Sequence, residues 1–240
     1  NGGRGASTII PALISRQRIQ VTSVVNAYDD GKSTGAIRRF FGMLGPSDIR
    51  KVQELMLPKD DPDYDNNLAL FQYRFPLDSV RDDVLEQLKL FANGKSTELV
   101  GVNLMNTRVR DKLKSFLAEF LTGLYSIEKV RHEQFDFTDC SIMNCLYAGA
   151  FLVSNRNIEQ ATRVIDRLFQ LYGTVLPTSI EDKKLVAQRE NGEILYTEAE
   201  IVELRSNVRV ERIYLLDKSL EKSNFEILDN NEQRSYLERH

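Results

Sequence analysis

A chain of 240 residues, 42% hydrophobic and 28% charged, has the make-up of a globular protein and enough length to bury a substantial core. Its 32 Lys and Arg against 35 Asp and Glu leave a net charge of -3. That balance gives no basic excess for nucleic acid, and no apolar run nears the roughly 18 residues that span a membrane. Cys140 and Cys145 are the only cysteines, too few for a disulfide framework or a zinc pattern. With no secretory signal at the start, the expectation is a cytoplasmic protein that binds neither nucleic acid nor membrane.

The chain opens with a Gly-rich loop, Asn1 to Ala6, with neither a methionine nor a strand before it. The expectation is that the first strand is cut off. Ser7 is placed to cap a helix over Thr8 to Arg16, with Pro11 in its first turn, where proline is tolerated. Ile19 to Ala27 is rich in β-branched residues and reads as a buried strand. Tyr28 to Ser33 is the turn at its end. Helices are expected over Thr34 to Phe41 and Ser47 to Leu57. The Pro-rich polar run 58–67 reads as a surface loop. Leu68 to Phe75, Asp78 to Phe91 and Thr107 to Tyr125 read as helices, the last from the helical spacing of Val109, Leu113, Phe116, Leu117, Phe120 and Leu121. Cys140 to Ser154 reads as a buried helix of small residues. Ile158 to Tyr172 is an amphipathic helix with Gly173 as its stop. Then strand, Asn191-Gly192 turn and strand make a hairpin signal, "VRVERIYLLD" a further strand, and the tail from Lys218 is polar. The fold class this order predicts is α/β: a Rossmann-like, mostly parallel sheet with flanking helices, a helical insertion over 58–130 and a late β-hairpin, in one domain over 1–240. The helical middle offers a face for a homodimer.

Two loops carry the candidate chemistry, because in an open parallel sheet the loops at the carboxyl edge meet the ligand. In the first, Gly2, Gly3 and Gly5 let backbone N–H groups approach an anion ahead of a helix N-terminus, or simply form a tight turn. Arg4 tilts that loop towards phosphate. The second is Asp29-Asp30-Gly31-Lys32-Ser33-Thr34. Its Gly-Lys-Ser-Thr ending is half of a P-loop, but the pattern needs a glycine where Asn26 stands. The copy at Gly94 to Thr97 has Lys89 there. What precedes Gly31 is a pair of carboxylates. They could hold Mg²⁺ beside a diphosphate, supply a general base, accept hydrogen bonds from a sugar or base, or form a solvated turn that caps a helix. Lys32, Ser33 and Thr34 could donate to phosphate, and one of Arg38 and Arg39 could face the same cleft. Asp48 and Arg50 stand at a helix start, where an acidic residue also favours the dipole. Asn144, in an apolar helix, must find partners in backbone or ligand. His132 reads as a surface residue. No organic cofactor is implied.

Several stretches, in order, resemble one family. They are "GGRGAS", "NAYDDGKSTGAIRRFFGMLGPSDIRK", "FTDCSIMNCLYAGAFL", "VLPTSIEDKKLVAQRENGEILYTEAEI" and "VRVERIYL". The chain is identified by these as similar to the CofD-like family, which includes 2-phospho-L-lactate transferase and the YvcK-type gluconeogenesis factor. The D-D-G-x-S-x-G form is closer to the second. The resemblance implies a nucleotide or nucleotide-sugar ligand across the carboxyl edge. In the transferase branch a phosphate-ester group moves from a nucleoside diphosphate donor to an alcohol, with Mg²⁺. In the YvcK branch the ligand type is a UDP-sugar and the role is regulatory. By carry-over, Gly2, Gly3 and Gly5 would line phosphates, Asp29 and Asp30 would face ligand or metal, Ser33 and Thr34 would assist, and Asn144 would form the cleft floor. Four positions depart from the pattern: Arg4 replaces Thr, and Lys32, Ser47 and Met143 each replace Gly. The later G-P-G-S-x-x-T-S phosphate loop has no counterpart before His240, so a C-terminal segment is expected to be missing too.

Overall fold

The computed structural model describes residues 6–16, 19–29, 31–99, 105–197, 200–201 and 207–239. They fall into two compact units, Asn1–Ile180 and Glu181–His240.

In the first unit, α1 spans Ala6–Ile14 and begins before the expected Thr8, so Pro11 lies in its second turn rather than its first. Strand β1, Val21–Val25, lies parallel to β2, Gly173–Pro177, in a register that sets Val21 opposite Gly173 and Val25 opposite Pro177. The strand expected over Ile19 to Ala27 is therefore shorter. It is also buried on one face only: Val21, Ser23 and Val25 point inward, while Val24 is half exposed. Strand β2 was not expected at all, because Gly173 was read as the stop of the preceding helix. That helix in fact ends near Leu168, and the left-handed turn falls on Gln170, at φ 50°. Gly173 starts the strand because a side chain there would meet Val21 O at 2.7 Å and Met56 Sδ at 2.9 Å.

Helices α2 (Lys32–Phe41) and α3 (Ser47–Leu55) follow β1. Next come α4 (Tyr64–Gln72), α5 (Arg81–Ala92) and α6 (Thr107–Arg131). The loop expected over 58–67 thus yields its last residues to α4, and α6 runs past Tyr125 to its left-handed cap at His132, which is exposed. Helix α7, Ile142–Val153, is buried over ten consecutive residues, and α8 covers Ile158–Leu168. Helices α4 to α6 share one apolar core with β1 and α7, including Phe71, Leu88, Phe91, Phe116 and Phe120. The Phe71 ring meets Phe169 edge-on with centroids 5.0 Å apart, a geometry that aromatic quadrupoles favour. Helices α6 and α7 approach at backbone level. A side chain at Gly149 would lie 1.8 Å from Phe116 O.

A buried polar clamp crosses this core. Gln53 Nε2 on α3 donates to Asp166 Oδ1 on α8 at 2.6 Å, Val175 N on β2 donates to Asp166 Oδ2 at 3.0 Å, and the Tyr147 hydroxyl on α7 donates to Gln53 Oε1. Burial pushes the Asp166 carboxyl up to about 6, against the lowering effect of those bonds.

In the second unit, β3 (Lys184–Arg189) pairs antiparallel with β4 (Ile194–Leu195) and with β5 (Val210–Leu216). The expected Asn191-Gly192 turn joins β3 to β4, with Gly192 at φ 85°, where glycine carries no steric cost. The tail read as merely polar forms two short helices, α9 (Lys222–Phe225) and α10 (Asn230–Arg239). Phe225 and Leu237 bury themselves with Val186 and Leu216. Among the described residues, no helix is long and apolar enough to cross a membrane.

Candidate functional site

Thr178 N donates to Val25 O at 2.9 Å, so both parallel strands end together, and the turn carrying Asp29 leaves from that carboxyl edge. The turn is built by its own side chains. Asn26 Oδ1 accepts from Tyr28 N at 3.1 Å, and Asp29 Oδ1 accepts from Gly31 N at 3.0 Å. This is how Asn and Asp shape loops. Arg38, buried on α2, folds back under the turn, where its Nη1 donates to Tyr28 O at 2.6 Å and to Asp29 O at 3.3 Å. Arg39 beside it is exposed. Gly45 closes the turn from the other side, with its N–H on Ala27 O at 2.8 Å. A side chain there would stand 2.5 Å from Asp29 O.

Three helices begin around this turn. Thr34 Oγ1, in the first turn of α2, is hydrogen-bonded to Ser47 Oγ at the start of α3. Ser47, where the resembled pattern has Gly, supplies that hydrogen bond. Ser33 Oγ accepts from Arg74 Nη2 at 3.1 Å. Arg74 also forms an isolated antiparallel bridge with Ser141, the residue that caps α7. Hydrogen bonds thus tie the first turns of α2 and α3 together, and Arg74 links α2 to the start of α7. Each such turn carries the positive end of a helix dipole, although Thr34 N already donates to Gly31 O, Ile142 N to Tyr73 O and Asn144 N to Ser141 O. In the first turn of α7, Asn144 is fully buried, and among the described residues neither its Oδ1 nor its Nδ2 has a hydrogen-bond partner. The buried Ser141 Oγ has none either. Buried amides are nearly always paired, so the Asn144 amide calls for a partner that the described residues do not supply, an ordered water or a ligand group.

The remaining sequence-derived candidates separate. Asp48 pairs with Lys51 at 2.9 Å on α3. Arg50 is buried and donates to Phe71 O at the end of α4; burial pushes its guanidinium down from the ordinary arginine value, with Glu54 opposing. Gly2, Gly3, Arg4, Gly5 and Asp30 lie outside the described residues, and so does the Lys32 side chain. Among the described residues no group of three or more His, Cys, Asp or Glu is placed to hold a metal ion. Asp29 engages Gly31 through one carboxylate oxygen, which leaves the other as a single donor. Magnesium is commonly held by one or two carboxylates with the substrate's phosphates. Among the described residues, Asp29 is the carboxylate of this turn that could meet such an ion together with a ligand's phosphate.

Arg74 and Asp139 were not singled out from the sequence. Arg74 lies 41 residues from Ser33 and 65 from Asp139, so no local spacing joins them. The one local signal is at Asp139, whose backbone takes the left-handed region at φ 52°, a conformation Asp tolerates better than most residues.

This architecture defines the class: α/β proteins with a parallel sheet, here the pair β1 and β2, and flanking helices. The chain belongs to the CofD family, whose model, described as 2-phospho-L-lactate transferase CofD, matches residues 1–229. The chain is 42% identical over 77 residues to the gluconeogenesis factor of Listeria monocytogenes, a match covering 32% of this chain and 22% of that protein. A relative from Thermoanaerobacterium thermosulfurigenes, provisionally named a gluconeogenesis factor, is 26% identical over 219 residues, covering 90% of this chain and 48% of the other. The fold matches that of a Bacillus halodurans protein described as a member of the UPF0052 family, with TM-score 0.58 at 20% identity over 94% of this chain and 53% of that one. The chain spans about half the length, or less, of the curated relatives it matches.

Proposed function

We propose that this chain is the nucleotide-binding part of a regulatory protein of the gluconeogenesis-factor kind, holding a nucleotide sugar at the carboxyl edge of β1 and β2. The observation that carries the reading is the buried, unpaired Asn144 amide on the first turn of α7, beside the linked first turns of α2 and α3. Helix N-termini favour phosphate, and a paired donor and acceptor on one amide favour a sugar or base. The names of the relatives support the regulatory assignment. Mg²⁺, if it takes part, enters with the diphosphate and uses Asp29.

The transferase description of the family favours a second reading. In it a phospho-lactyl-type group passes from a nucleoside diphosphate donor to an alcohol, with Asp30 as the base that takes the hydroxyl proton. Thermal-shift measurements on the full-length protein with UDP-N-acetylglucosamine, GDP and GTP, each with and without Mg²⁺, separate the two. Ligand at about 100 times its dissociation constant adds roughly 2.7 kcal/mol to the native state. A shift selective for the UDP-sugar supports the regulatory reading. A guanosine-selective, Mg²⁺-dependent shift supports the transferase. Asp30→Asn then abolishes turnover in the second case and only weakens binding in the first.

A further inference from the structure

We infer that Arg74 is a phosphate-recognising residue beside the Asp29 turn, stored on Asp139 until a diphosphate takes its place; the inference rests on the nucleotide-binding reading above. Arg74 sits on no regular element, between α4 and α5. Its guanidinium is held on one edge. Nε donates to Asp139 Oδ1 at 2.7 Å, and Nη2 donates to Asp139 O at 2.5 Å and to Ser33 Oγ at 3.1 Å. A guanidinium has five N–H donors. The two on Nη1 have no protein partner among the described residues, and about a third of the side chain is open to solvent. The edge that grips phosphate in a fork is the Nε–Nη2 edge now on Asp139, and it comes free when Asp139 is displaced.

Its position is what makes this more than a surface ion pair. Ser33 accepts from Arg74 and so keeps its hydroxyl proton for another acceptor, within the first turn of α2. On the other side, the bridge to Ser141 places Arg74 against the start of α7, where the Ser141 hydroxyl and the Asn144 amide are buried and unpaired. The positive edge therefore stands between two groups of donors that lack an anion. Asp139 is a partner suited to exchange. Its carboxylate is also about a third exposed, and ion pairs at that exposure are weak and screened by salt. A diphosphate takes over the Nε–Nη2 edge from Asp139, which leaves Arg74 on the phosphate.

Calorimetric titration of the full-length protein tests this with UDP, GDP and inorganic pyrophosphate at low and high salt. Wild-type protein that binds none of the three overturns the nucleotide reading itself. With wild-type binding established, Arg74→Gln is expected to weaken the bound diphosphate at least tenfold and to flatten its salt dependence. Arg74→Lys, which keeps the charge and loses the fork, is expected to fall between. Asp139→Asn is expected to bind as tightly as wild type or tighter, since the store is removed and the guanidinium stays. Should Arg74→Gln not fold, the lysine and Asp139 variants carry the test. A folded Arg74→Gln or Arg74→Lys protein with wild-type affinity and salt dependence overturns the inference and leaves the nucleotide reading standing. So does an Asp139→Asn protein that loses affinity, which would make Asp139 a ligand group.

Discussion

Asp166 should make this fold less stable as pH rises from about 4 to about 7. The carboxyl is buried on α8, and desolvation lifts it from an ordinary value of 3.8 to about 6 in the folded state. Between those values the folded chain holds a proton that the unfolded chain releases. Stability is therefore greatest below 3.8 and is lost as pH rises through 6, the reverse of the usual carboxylate. At about 1.4 kcal/mol for each pH unit, the loss is about 3 kcal/mol. Other groups titrate in the same range, so the assay is a comparison. Urea unfolding of wild type and Asp166→Asn at pH 4.0 to 7.5 cancels what the two share. Asparagine keeps an acceptor for Val175 N, and the Gln53 amide can turn to meet it, because the Tyr147 hydroxyl can accept as well as donate. The groups that face Asp166 from its neighbours are Gln53, Tyr147 and the Val175 amide, and Arg163 and Arg167 on its own helix oppose the rise. The variant should gain about 3 kcal/mol relative to wild type across the window. A difference that stays flat with pH would refute the raised carboxyl.

Asn144→Leu should raise the melting temperature by a few degrees, because an apolar group of similar shape removes two unpaired buried polar atoms, and it should abolish ligand binding. Gly149→Ala should cost at least about 3 kcal/mol in urea unfolding, since its side chain would meet a backbone oxygen of α6 and neither helix can yield cheaply. Gly45→Ala should displace the Asp29 turn and lower affinity at least several-fold in calorimetry, with a smaller loss of stability than Gly149→Ala.

What could be read in the sequence was what is local. The Asn191-Gly192 hairpin, the periodicity of α6 and the turn after β1 each announce themselves within a dozen residues. The Asp29 turn was legible for the same reason, since Asn26, Asp29 and Gly31 shape one another through neighbouring bonds. Strand β2 was not. It is five residues long, only Val175 in it is fully buried, and its partner lies more than a hundred residues earlier. Periodicity has nothing to work on in such a segment. The same distance hides the clamp of Gln53 and Asp166, 113 residues apart, and the meeting of Arg74 with Ser33 and Asp139. Arg38 looked like a ligand group by its place one turn after the Asp pair, yet its described bonds hold the turn's own carbonyls. A guanidinium near a cleft can build the loop as readily as it can bind the guest.

The most direct test of the central claim is a titration of UDP-N-acetylglucosamine into full-length wild-type protein and into its Asn144→Leu variant, followed by calorimetry. Saturable one-to-one binding by wild type, lost in a variant that is folded and at least as stable, is the predicted result. Binding that survives the substitution would place the ligand elsewhere and contradict the site, and a wild-type protein that binds no nucleotide would contradict the function.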